Sequence, residues 1–362
     1  MNISGRVAHG GVEWTGDLES IARANLWLRT ASRVLVRIAE FRAKTFFELE
    51  RHARQIPWAR FLASGAPAEL RVTCRKSRLY HSDAVAERMT ASISYTLGAD
   101  SRVTTAPPER DDVEDAATGA PSQLFVVRML HDVCTVSVHS SGTRLHQRGY
   151  RQAVAKAPLR ETLAAAMLFG AGWNGDSPLT DPMCGSGTIL IEGAMLARRI
   201  APGADRRFSF LDWPETDGAV WSRLLEEARN GQLDRSPVRI AGSDRDEGAI
   251  AAATTNAGRA GVDADIELTG RPISSMDVMA APGLVATNPP YGVRIGEADQ
   301  LRNLYAQLGN VLRRSRPGWT LAMLSAEPRL ESQLGLRLEE RFRTRNGGIA
   351  VRLMTGAVPS AR

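Results

Sequence analysis

The fold of this chain is decided by the stretch Leu179-Thr180-Asp181-Pro182-Met183-Cys184-Gly185-Ser186-Gly187-Thr188, taken together with Ala286-Thr287-Asn288-Pro289-Pro290-Tyr291-Gly292. Each stretch begins as a short apolar run and stops at a turn of small residues or prolines. This pattern is typical of the carboxyl end of a buried parallel strand. Ligands bind at such ends in open α/β sheets, so both stretches are expected to face one site.

Regular alternation of strands and helices surrounds these two stretches from about residue 149 onward. Strands are predicted at 178–182, 238–243, 265–268, 284–287 and 320–325, and helices at 158–169, 187–199, 246–260 and 299–314. A helical insertion covers about 213–230, and a closing hairpin pairs 336–342 with 349–354. The alternation predicts a doubly wound, mostly parallel, Rossmann-like α/β sheet with a C-terminal antiparallel hairpin.

The N-terminal part reads as an α+β region. Strands are predicted within 3–14 and at 32–40, 69–74, 124–129 and 134–139, with helices at 20–27, 45–55 and 84–96. Thr45 and Glu48 have the spacing of a capping box, and Asp83 is the expected cap of the third helix. The last two strands form a hairpin about His131-Asp132. Residues 98–123 are acidic and poor in large apolar side chains, so they are expected to be a disordered insertion.

Composition indicates a reduced, cytoplasmic protein. The 362 residues are 43% hydrophobic and contain no apolar run long enough to span a bilayer, and no N-terminal signal core. The three cysteines, Cys74, Cys134 and Cys184, match neither a disulfide framework nor a metal site. No metal and no membrane partner is therefore expected, and nothing suggests an oligomer, so we expect a monomer.

The net charge of +6 is concentrated in the N-terminal half. That half has a net charge of +4 although residues 99–122 contribute −4, whereas residues 151–362 have a net charge of +2. A cationic module of this kind is typical of polyanion binding. Arginine-rich composition is an alternative explanation, because only three of the basic residues are lysines.

The glycine loop at the end of the first stretch fits a ligand that the protein does not bind through phosphate groups. A third glycine of a dinucleotide fingerprint would fall at Leu190, and no Gly-Lys-Ser/Thr of a phosphate loop is present. The Asp181 carboxylate suits an ammonium group, and Gly185 and Gly187 let a ligand approach the backbone. A purely structural strand-to-helix turn remains the alternative.

Acidic residues follow the next two strands. Asp244, in Gly242-Ser243-Asp244-Arg245-Asp246, is placed to accept ribose hydroxyls, because Asp246 is the better helix cap. Asp277 follows another strand and could accept an adenine amino group, or it could be an ordinary loop acid.

The second stretch, Asn288 to Tyr291, suits chemistry on an aromatic amine. The Asn288 side-chain oxygen and the Pro289 carbonyl can accept hydrogen bonds from an exocyclic amine and draw its nitrogen toward a tetrahedral shape. Catalysis would then consist mostly of orientation, worth roughly 7–11 kcal/mol. Tyr291 can stack on a base that has been flipped out of a helix.

These motifs, with Leu145-His146-Gln147-Arg148-Gly149-Tyr150-Arg151 and the run from Ala157 to Ala166, resemble the THUMP-domain RNA methyltransferases, in particular the bacterial family that methylates guanine N2 in 23S ribosomal RNA. The resemblance implies a partial ferredoxin-like segment (1–44), a THUMP RNA-binding domain (45–145) and a methyltransferase domain (146–362). The family's usual opening strand and helix are not found before residue 3, so the ferredoxin-like part is expected to be shortened.

The resemblance also implies roles for individual residues. Catalysis falls to Asn288, Pro289, Pro290 and Tyr291. S-adenosylmethionine is expected to be bound by Asp181, Pro182, Cys184, Gly185, Ser186, Gly187, Thr188, Asp244, Arg245, Asp277 and Asn288. RNA contacts are expected from Arg75, Lys76, Arg78, Arg148, Arg151 and Arg294, each of which could instead be an ordinary surface arginine or lysine.

Three other functions remain open at this point. The substrate could be transfer RNA rather than ribosomal RNA. The same Asn-Pro-Pro-Tyr chemistry would also serve DNA adenine-N6 methylation, although the THUMP-like segment favours RNA. A non-catalytic RNA-binding or ribosome-assembly factor is disfavoured by the intact loops at 181–188 and 288–291.

Overall fold

The computed structural model of the chain describes residues 5–8, 10–98, 100–107, 122–151, 159–279, 282–291 and 298–360. The chain divides into two compact units. The first unit comprises residues 1–145 and 206–226, and the second comprises 146–205 and 227–362. The region 146–362, predicted as one methyltransferase domain, thus contributes its segment 206–226 to the first unit. Among the described residues, no helix is both long and apolar enough to cross a membrane.

The first unit is built around a five-stranded sheet. Its elements are β1 (Arg6–Ala8), β2 (Gly11–Glu13), α1 (Leu18–Trp27), β3 (Leu35–Arg42), α2 (Phe46–Ala53), β4 (Pro67–Arg75), α3 (Ser82–Leu97), β5 (Arg102–Thr105), β6 (Gln123–Leu130) and β7 (Val133–His139). The sheet has the order β3-β7-β6-β4-β5, and β1 and β2 form a separate antiparallel pair. Every second residue of β6 faces the core. Phe125 and Val127, for example, are fully buried, as expected for a sheet with one face in the core.

Local chemistry explains most boundaries in this unit. The predicted capping box is confirmed, since the Thr45 hydroxyl accepts from the Glu48 amide at 3.2 Å and the Glu48 carboxylate accepts from the Thr45 amide. The predicted hairpin turn is also confirmed: His131 and Asp132 have φ of 50° and 62°, which suits the tight twist of a two-residue turn.

Two predictions for this unit are wrong. Asp83 does not cap α3. The N-cap position is occupied by His81, and Asp83 lies inside the first turn, where a negative charge is still favourable. The acidic segment predicted to be disordered contains β5, which pairs in parallel with β4. Val103 and its two following threonines are β-branched and fit a strand despite the acidic surroundings. Residues 108–121 of that segment lie outside the described residues.

The second unit confirms the predicted doubly wound sheet. Its elements are α4 (Glu161–Gly170), β8 (Leu179–Asp181), α5 (Thr188–Ala197), α6 (Gly218–Asn230, beginning in the first unit), β9 (Ile240–Asp244), α7 (Glu247–Arg259), β10 (Ile266–Gly270), β11 (Leu284–Thr287), α8 (Ala298–Ser315), β12 (Thr320–Ser325), α9 (Pro328–Glu331), β13 (Glu339–Asn346) and β14 (Ile349–Ala357). The strand order is β10-β9-β8-β11-β12-β14-β13. The first five strands are parallel, and β14 pairs antiparallel with both β12 and β13.

The order of the strands marks where a ligand site should lie. The chain runs outward from β8 through β9 to β10 and then returns to β11 on the other side of β8. Ligands bind in open α/β sheets at such a change of direction, which here falls at the carboxyl ends of β8 and β11. One apolar cluster includes Leu179, Leu190 and Ala286, and another includes Val285, Leu308 and Trp319. The strands are therefore anchored in two buried clusters.

Candidate active site at the strand ends

The loop after β8 is fixed against the neighbouring strand β9. The Cys184 amide donates to the Ser243 carbonyl at 3.0 Å, and the Gly187 amide donates to the Cys184 carbonyl at 2.8 Å. The Met183 amide donates to Oδ1 of Asp181 at 3.1 Å. Residues 181–188 are therefore held by hydrogen bonds at the carboxyl ends of two adjacent parallel strands.

Both glycines of this loop are required by the backbone. Gly185 and Gly187 have φ of 51° and 82°, a region that side chains with a Cβ rarely adopt. At Gly187, the first residue before α5, a Cβ would also lie 3.0 Å from the Cβ of Ala253 on α7. A Cβ at Gly185 would instead meet no heavy atom within 4 Å among the described residues. The loop therefore leaves open space beside the Gly185 backbone, into which a ligand can come.

Asp244 joins the two strand ends. Its Oδ2 accepts from the Gly185 amide and its Oδ1 accepts from the Asp246 amide, each at 3.0 Å. Asp246 caps α7 as predicted, with Oδ1 accepting from Gly248 at 2.8 Å. A carboxylate has about four lone-pair positions, so Asp244 retains acceptor capacity beyond these two bonds. The predicted ribose role of Asp244 remains open.

Asp181 is a buried acid at the bottom of the loop. Burial raises the pKa of its carboxyl to about 7, although Thr287 and the Met183 amide partly lower it, and the nearby Asp244 adds to the rise. A group of opposite charge beside a buried carboxylate favours its ionised form. Asp181 is thus suited to a ligand that carries a positive charge.

The predicted catalytic loop follows directly from β11, next to β8 in the sheet. Oδ1 of Asn288 is buried and has no hydrogen-bond partner among the described residues. Pro289 is buried and Pro290 is exposed. A buried amide oxygen without a donor is costly, so a ligand that donates a hydrogen bond at this strand end would stabilise it.

Two residues that the sequence did not reveal fix this loop. Nδ2 of Asn346, at the end of β13, donates to the Tyr291 hydroxyl at 2.6 Å. The Tyr305 hydroxyl, on α8, donates to the Pro290 carbonyl at 3.4 Å. In the sequence, Asn346 begins an Asn-Gly-Gly stretch, which indicates a turn. Nothing in its spacing from Tyr291 indicates that the two side chains meet, because the sheet brings them together across 55 residues.

The remaining predicted cofactor residues differ in how deeply they are buried. Pro182, Cys184 and Thr188 are buried in or below the loop, and burial strongly raises the pKa of the Cys184 thiol. The Ser186 carbonyl accepts from Nδ2 of Asn256 at 3.2 Å, a further contact that the sequence did not predict. Arg245 is exposed.

Asp277 is exposed and paired with an arginine, and its predicted adenine role stays a prediction. Its side chain is 63% exposed, and its carboxylate is bound by Arg271 at 2.7 Å, which lowers the pKa of that carboxyl. Arg271 is the residue that directly follows β10, and Asp277 comes six residues later, beyond a short helical turn. Arg271 therefore holds the Asp277 carboxylate near the end of β10.

Two of the predicted RNA contacts must be corrected. The Arg148 side chain is 2% exposed and forms an ion pair with Glu192 on α5, while Arg151 is 11% exposed and is bound to Glu161 at 2.6 Å. The Tyr150 hydroxyl also donates to Glu192, at 3.3 Å. Burial raises the pKa of Glu161 to about 7, and the adjacent Arg151 limits that rise. Both guanidinium groups are bound by carboxylates inside the second unit, so they are not available to contact a phosphate.

The other predicted RNA contacts lie in the first unit or outside the described residues. Arg75, Lys76 and Arg78 are all exposed in the turn between β4 and α3. Arg294 lies outside the described residues, so its predicted role stays a prediction.

Comparison with known proteins identifies the family. Residues 148–354 match the model of the RMKL-like methyltransferase domain, and residues 1–35 match that of the RlmL ferredoxin-like domain. The chain belongs to the RMKL-like methyltransferase family. The predicted Rossmann-like methyltransferase fold with a ferredoxin-like N-terminal region is thereby confirmed.

Relatives with assigned names agree with this membership. The Synechocystis sp. protein slr0064, assigned as an RNA methyltransferase, is 34% identical over 95% of this chain and 88% of its own length. Ribosomal RNA large subunit methyltransferase K/L of Syntrophotalea carbinolica is 37% identical over 97% of this chain and 50% of its own length. The chain therefore spans about half the length of the K/L relatives it matches.

Solved structures of similar proteins share the whole fold. SMU.472, a methyltransferase homologue complexed with SAH, superimposes with a TM-score of 0.84 at 29% identity, covering 99% of this chain and 92% of its own. A predicted N6-adenine-specific DNA methylase from Listeria monocytogenes superimposes with a TM-score of 0.84 at 32% identity, covering 97% and 89%.

Proposed function

We propose that this chain transfers a methyl group from S-adenosylmethionine to the exocyclic N2 amine of a guanosine in RNA, with 23S ribosomal RNA as the expected substrate. The observation that carries the proposal is the buried Oδ1 of Asn288, which has no donor among the described residues. It lies at the end of β11, adjacent to the strand that ends in the glycine loop. An amine donor placed there would satisfy it.

The residues of the glycine loop fit the methyl donor. S-adenosylmethionine supplies an electrophilic methyl group on a positively charged sulfonium. The space beside the Gly185 backbone admits a ligand, and the buried Asp181 favours positive charge. Asp244 offers further acceptor positions for ribose hydroxyls. Asp277 is bound by Arg271 but likewise retains acceptor positions, and it is the proposed acceptor of the adenine amino group.

The chain's own contribution to the reaction is to hold and orient the target amine. Oδ1 of Asn288 accepts one N–H of the amine, and the Pro289 carbonyl is the proposed acceptor of the other. With both protons directed away, the nitrogen lone pair is left free to face the methyl group. Orientation of this kind is worth roughly 7–11 kcal/mol. The Tyr291 ring, fixed through its hydroxyl by Asn346, is the proposed stacking surface for the base.

RNA is favoured as substrate by several relatives. The K/L proteins are named as ribosomal RNA methyltransferases, and slr0064 is assigned as an RNA methyltransferase. The exposed Arg75, Lys76 and Arg78 support an RNA-binding, THUMP-like role for the first unit. The Listeria relative, named for DNA adenine-N6 methylation, supports that reaction as the second candidate. Asn-Pro-Pro-Tyr can present either amine, so the loop alone does not choose between them.

Replacing Asn288 by alanine tests the proposal. Asn288→Ala removes the acceptor but leaves the glycine loop, so we expect S-adenosylmethionine to bind within about twofold of the parent while methyl transfer falls by about 100-fold or more. Asn310→Ala changes an exposed asparagine on α8 and serves as the control. Turnover by Asn288→Ala at the parent rate would contradict the proposal.

The substrate itself is identified by nucleoside mass spectrometry. Ribosomal RNA, transfer RNA and DNA are compared between a deletion strain and its parent. Loss of 2-methylguanosine from 23S ribosomal RNA is the expected result. Loss from transfer RNA alone, or loss of N6-methyladenine from DNA, would select one of the alternatives instead.

A further inference from the structure

One end of the five-stranded sheet carries cations that have no carboxylate partner. Arg75 is the last residue of β4, Lys76 and Arg78 follow it, and Arg128 lies on the adjacent strand β6. All four side chains are exposed, and none forms an ion pair with a described residue. Three other arginines of this unit do form such pairs, Arg37 with Glu13, Arg60 with Glu215 and Arg88 with Glu50, whereas the exposed Arg42, Arg51 and Arg102 form none with a described residue. The charge at this end of the sheet is thus left available for an external anion.

The turns that carry these cations are tied to one another. The Arg78 amide donates to Oδ1 of Asp132 at 2.7 Å, and the Asp132 amide donates to the Ser77 hydroxyl at 3.0 Å. The Ala43 amide, after β3, donates to the Asp132 carbonyl at 2.9 Å. Hydrogen bonds to Asp132 therefore join three loops of the unit. The turn region that carries the cations is held in place by these bonds.

An exposed aromatic pair lies in the same connection. Tyr80 is 66% exposed, and its ring centroid is 4.0 Å from that of His81, with the ring planes 40° apart. Leu79, just before it, is buried and anchors the chain at this point. Tyr80 lies in the same connection as Lys76 and Arg78 and exposes most of its surface, so it contributes little to the core. Aromatic faces beside a positively charged surface are what proteins use to bind unpaired nucleotides.

We propose that Tyr80 stacks on an unpaired base of the RNA substrate, while Arg75, Lys76, Arg78 and Arg128 contact the phosphates that flank it. These residues are called the Tyr80 surface below. Bases in a duplex are stacked on one another and their faces are inaccessible, so the Tyr80 surface selects single-stranded segments. This inference rests on the proposed RNA substrate and adds where, and in what form, that RNA is bound.

Fluorescence anisotropy of the full-length chain tests the Tyr80 surface. The probes are a labelled single-stranded RNA 12-mer and the duplex formed with its complement. Stacking is worth about 1–3 kcal/mol per base, so Tyr80→Leu should bind the single strand about 5- to 100-fold more weakly. Tyr80→Phe keeps the ring and should bind within about twofold of the parent. Tyr95→Leu removes an equally exposed tyrosine at the other end of α3 and should have no effect.

Salt dependence separates stacking from charge. Tyr80→Leu should leave the slope of log K against log salt unchanged, whereas Arg78→Ala should reduce it by about 0.7. A Tyr80→Leu variant that binds the single strand as tightly as the parent would overturn the inference. An equal loss of duplex affinity in Tyr80→Leu would also overturn it. So would a Tyr80→Phe variant that binds the single strand as weakly as Tyr80→Leu does. If heparin displaces the single strand equally well from the parent and from Tyr80→Leu, the surface binds polyanions in general, and the inference is also rejected.

The inference and the proposed function fail independently. If methyl transfer to RNA depends on Asn288 but binding does not depend on Tyr80, only the Tyr80 surface is rejected. If Tyr80 is needed for single-strand binding but no RNA is methylated, only the proposed reaction is rejected. Calorimetric titration of Tyr80→Leu with S-adenosylmethionine should match the parent, because Tyr80 lies in the first unit and the glycine loop lies in the second.

Discussion

Burial determines the acid–base behaviour of Asp181, whose carboxyl has its pKa raised from 3.8 to about 7. A raised pKa means that ionisation is disfavoured in the folded chain. This group's contribution to the free energy of unfolding therefore decreases as the pH rises through that interval. A positively charged ligand beside Asp181 favours ionisation, so binding releases a proton. We expect the affinity for S-adenosylmethionine to increase between pH 6 and pH 8, by up to about tenfold per pH unit below the pKa.

Calorimetric titrations at pH 6, 7 and 8 measure this dependence. Asp181→Asn keeps the side-chain shape and removes the titration, so its profile should be flatter than that of the parent. The amine of the ligand titrates identically with both proteins, and the difference between the two profiles isolates Asp181. Parallel profiles would show that Asp181 does not respond to the ligand's charge.

Single residues also show why part of the site could not be predicted from the sequence. Arg78 and Arg148 are both arginines in polar stretches, yet Arg78 is exposed and Arg148 is buried against Glu192. The sequence does contain a signal for this buried ion pair, at its acidic partner. Glu192 is the only charged residue within the apolar helix α5. An acid in such a helix needs a buried cation. The prediction for Asn288, by contrast, depends on its own turn and not on a distant partner.

At the scale of elements, the β13–β14 hairpin takes part in the active site through one side chain. Asn346 is 7% exposed and donates to the Tyr291 hydroxyl, fixing the ring that follows the two prolines. Loss of one such hydrogen bond costs about 0.5–1.5 kcal/mol, so Asn346→Ala should reduce the rate of methyl transfer about 2- to 10-fold. The dissociation constant for S-adenosylmethionine should stay the same, because no hydrogen bond among the described residues joins either side chain to the glycine loop.

A double-mutant cycle checks this assignment. Tyr291→Phe removes the same hydrogen bond from the other side, so the double variant should be no slower than the slower single variant. Arg345→Ala changes an exposed residue of the same strand and is the matched control. Additive losses, or an unchanged rate for Asn346→Ala, would mean that the hairpin does not position Tyr291 for catalysis.

Elements with a strong pattern of their own were predictable, and those that depend on a neighbour were not. The strands β8, β9, β11 and β12 were each placed within two residues, because a buried parallel strand is a continuous apolar run. The strand β5 was missed. It has four residues at the edge of a sheet, and most of its stabilisation comes from pairing with β4.

At the scale of the whole molecule, the first unit is built from two separate parts of the chain. Trp213, in the segment 206–226, packs edge-on against Phe61 at 5.1 Å, and its indole donates to Gln123 at 2.7 Å. Phe208 and Phe210 in the same segment are fully buried. Burial of each such side chain is worth about 1.5–3 kcal/mol. The segment is therefore an integral part of the first unit.

This organisation predicts how the second unit must be isolated. Deleting residues 1–145 alone exposes the apolar side chains of 206–226, so we expect an aggregating product. Deleting 206–226 as well, with residues 205 and 227 joined by a short Gly-Ser linker, should give a soluble protein with a cooperative thermal transition. The soluble fraction and the circular-dichroism melt of the two variants are compared. Equal solubility of both would show that the segment does not need its partners in the first unit.

The same two-part organisation sets an order of events on the ribosome. Domains generally fold as units while the chain is being made, and the N-terminal one is usually finished first. Here a nascent chain ending at residue 205 already contains β8 and α5 of the second unit but still lacks Trp213 and its neighbours. Translation must therefore proceed well into the catalytic half of the gene product before the leading half can close its core.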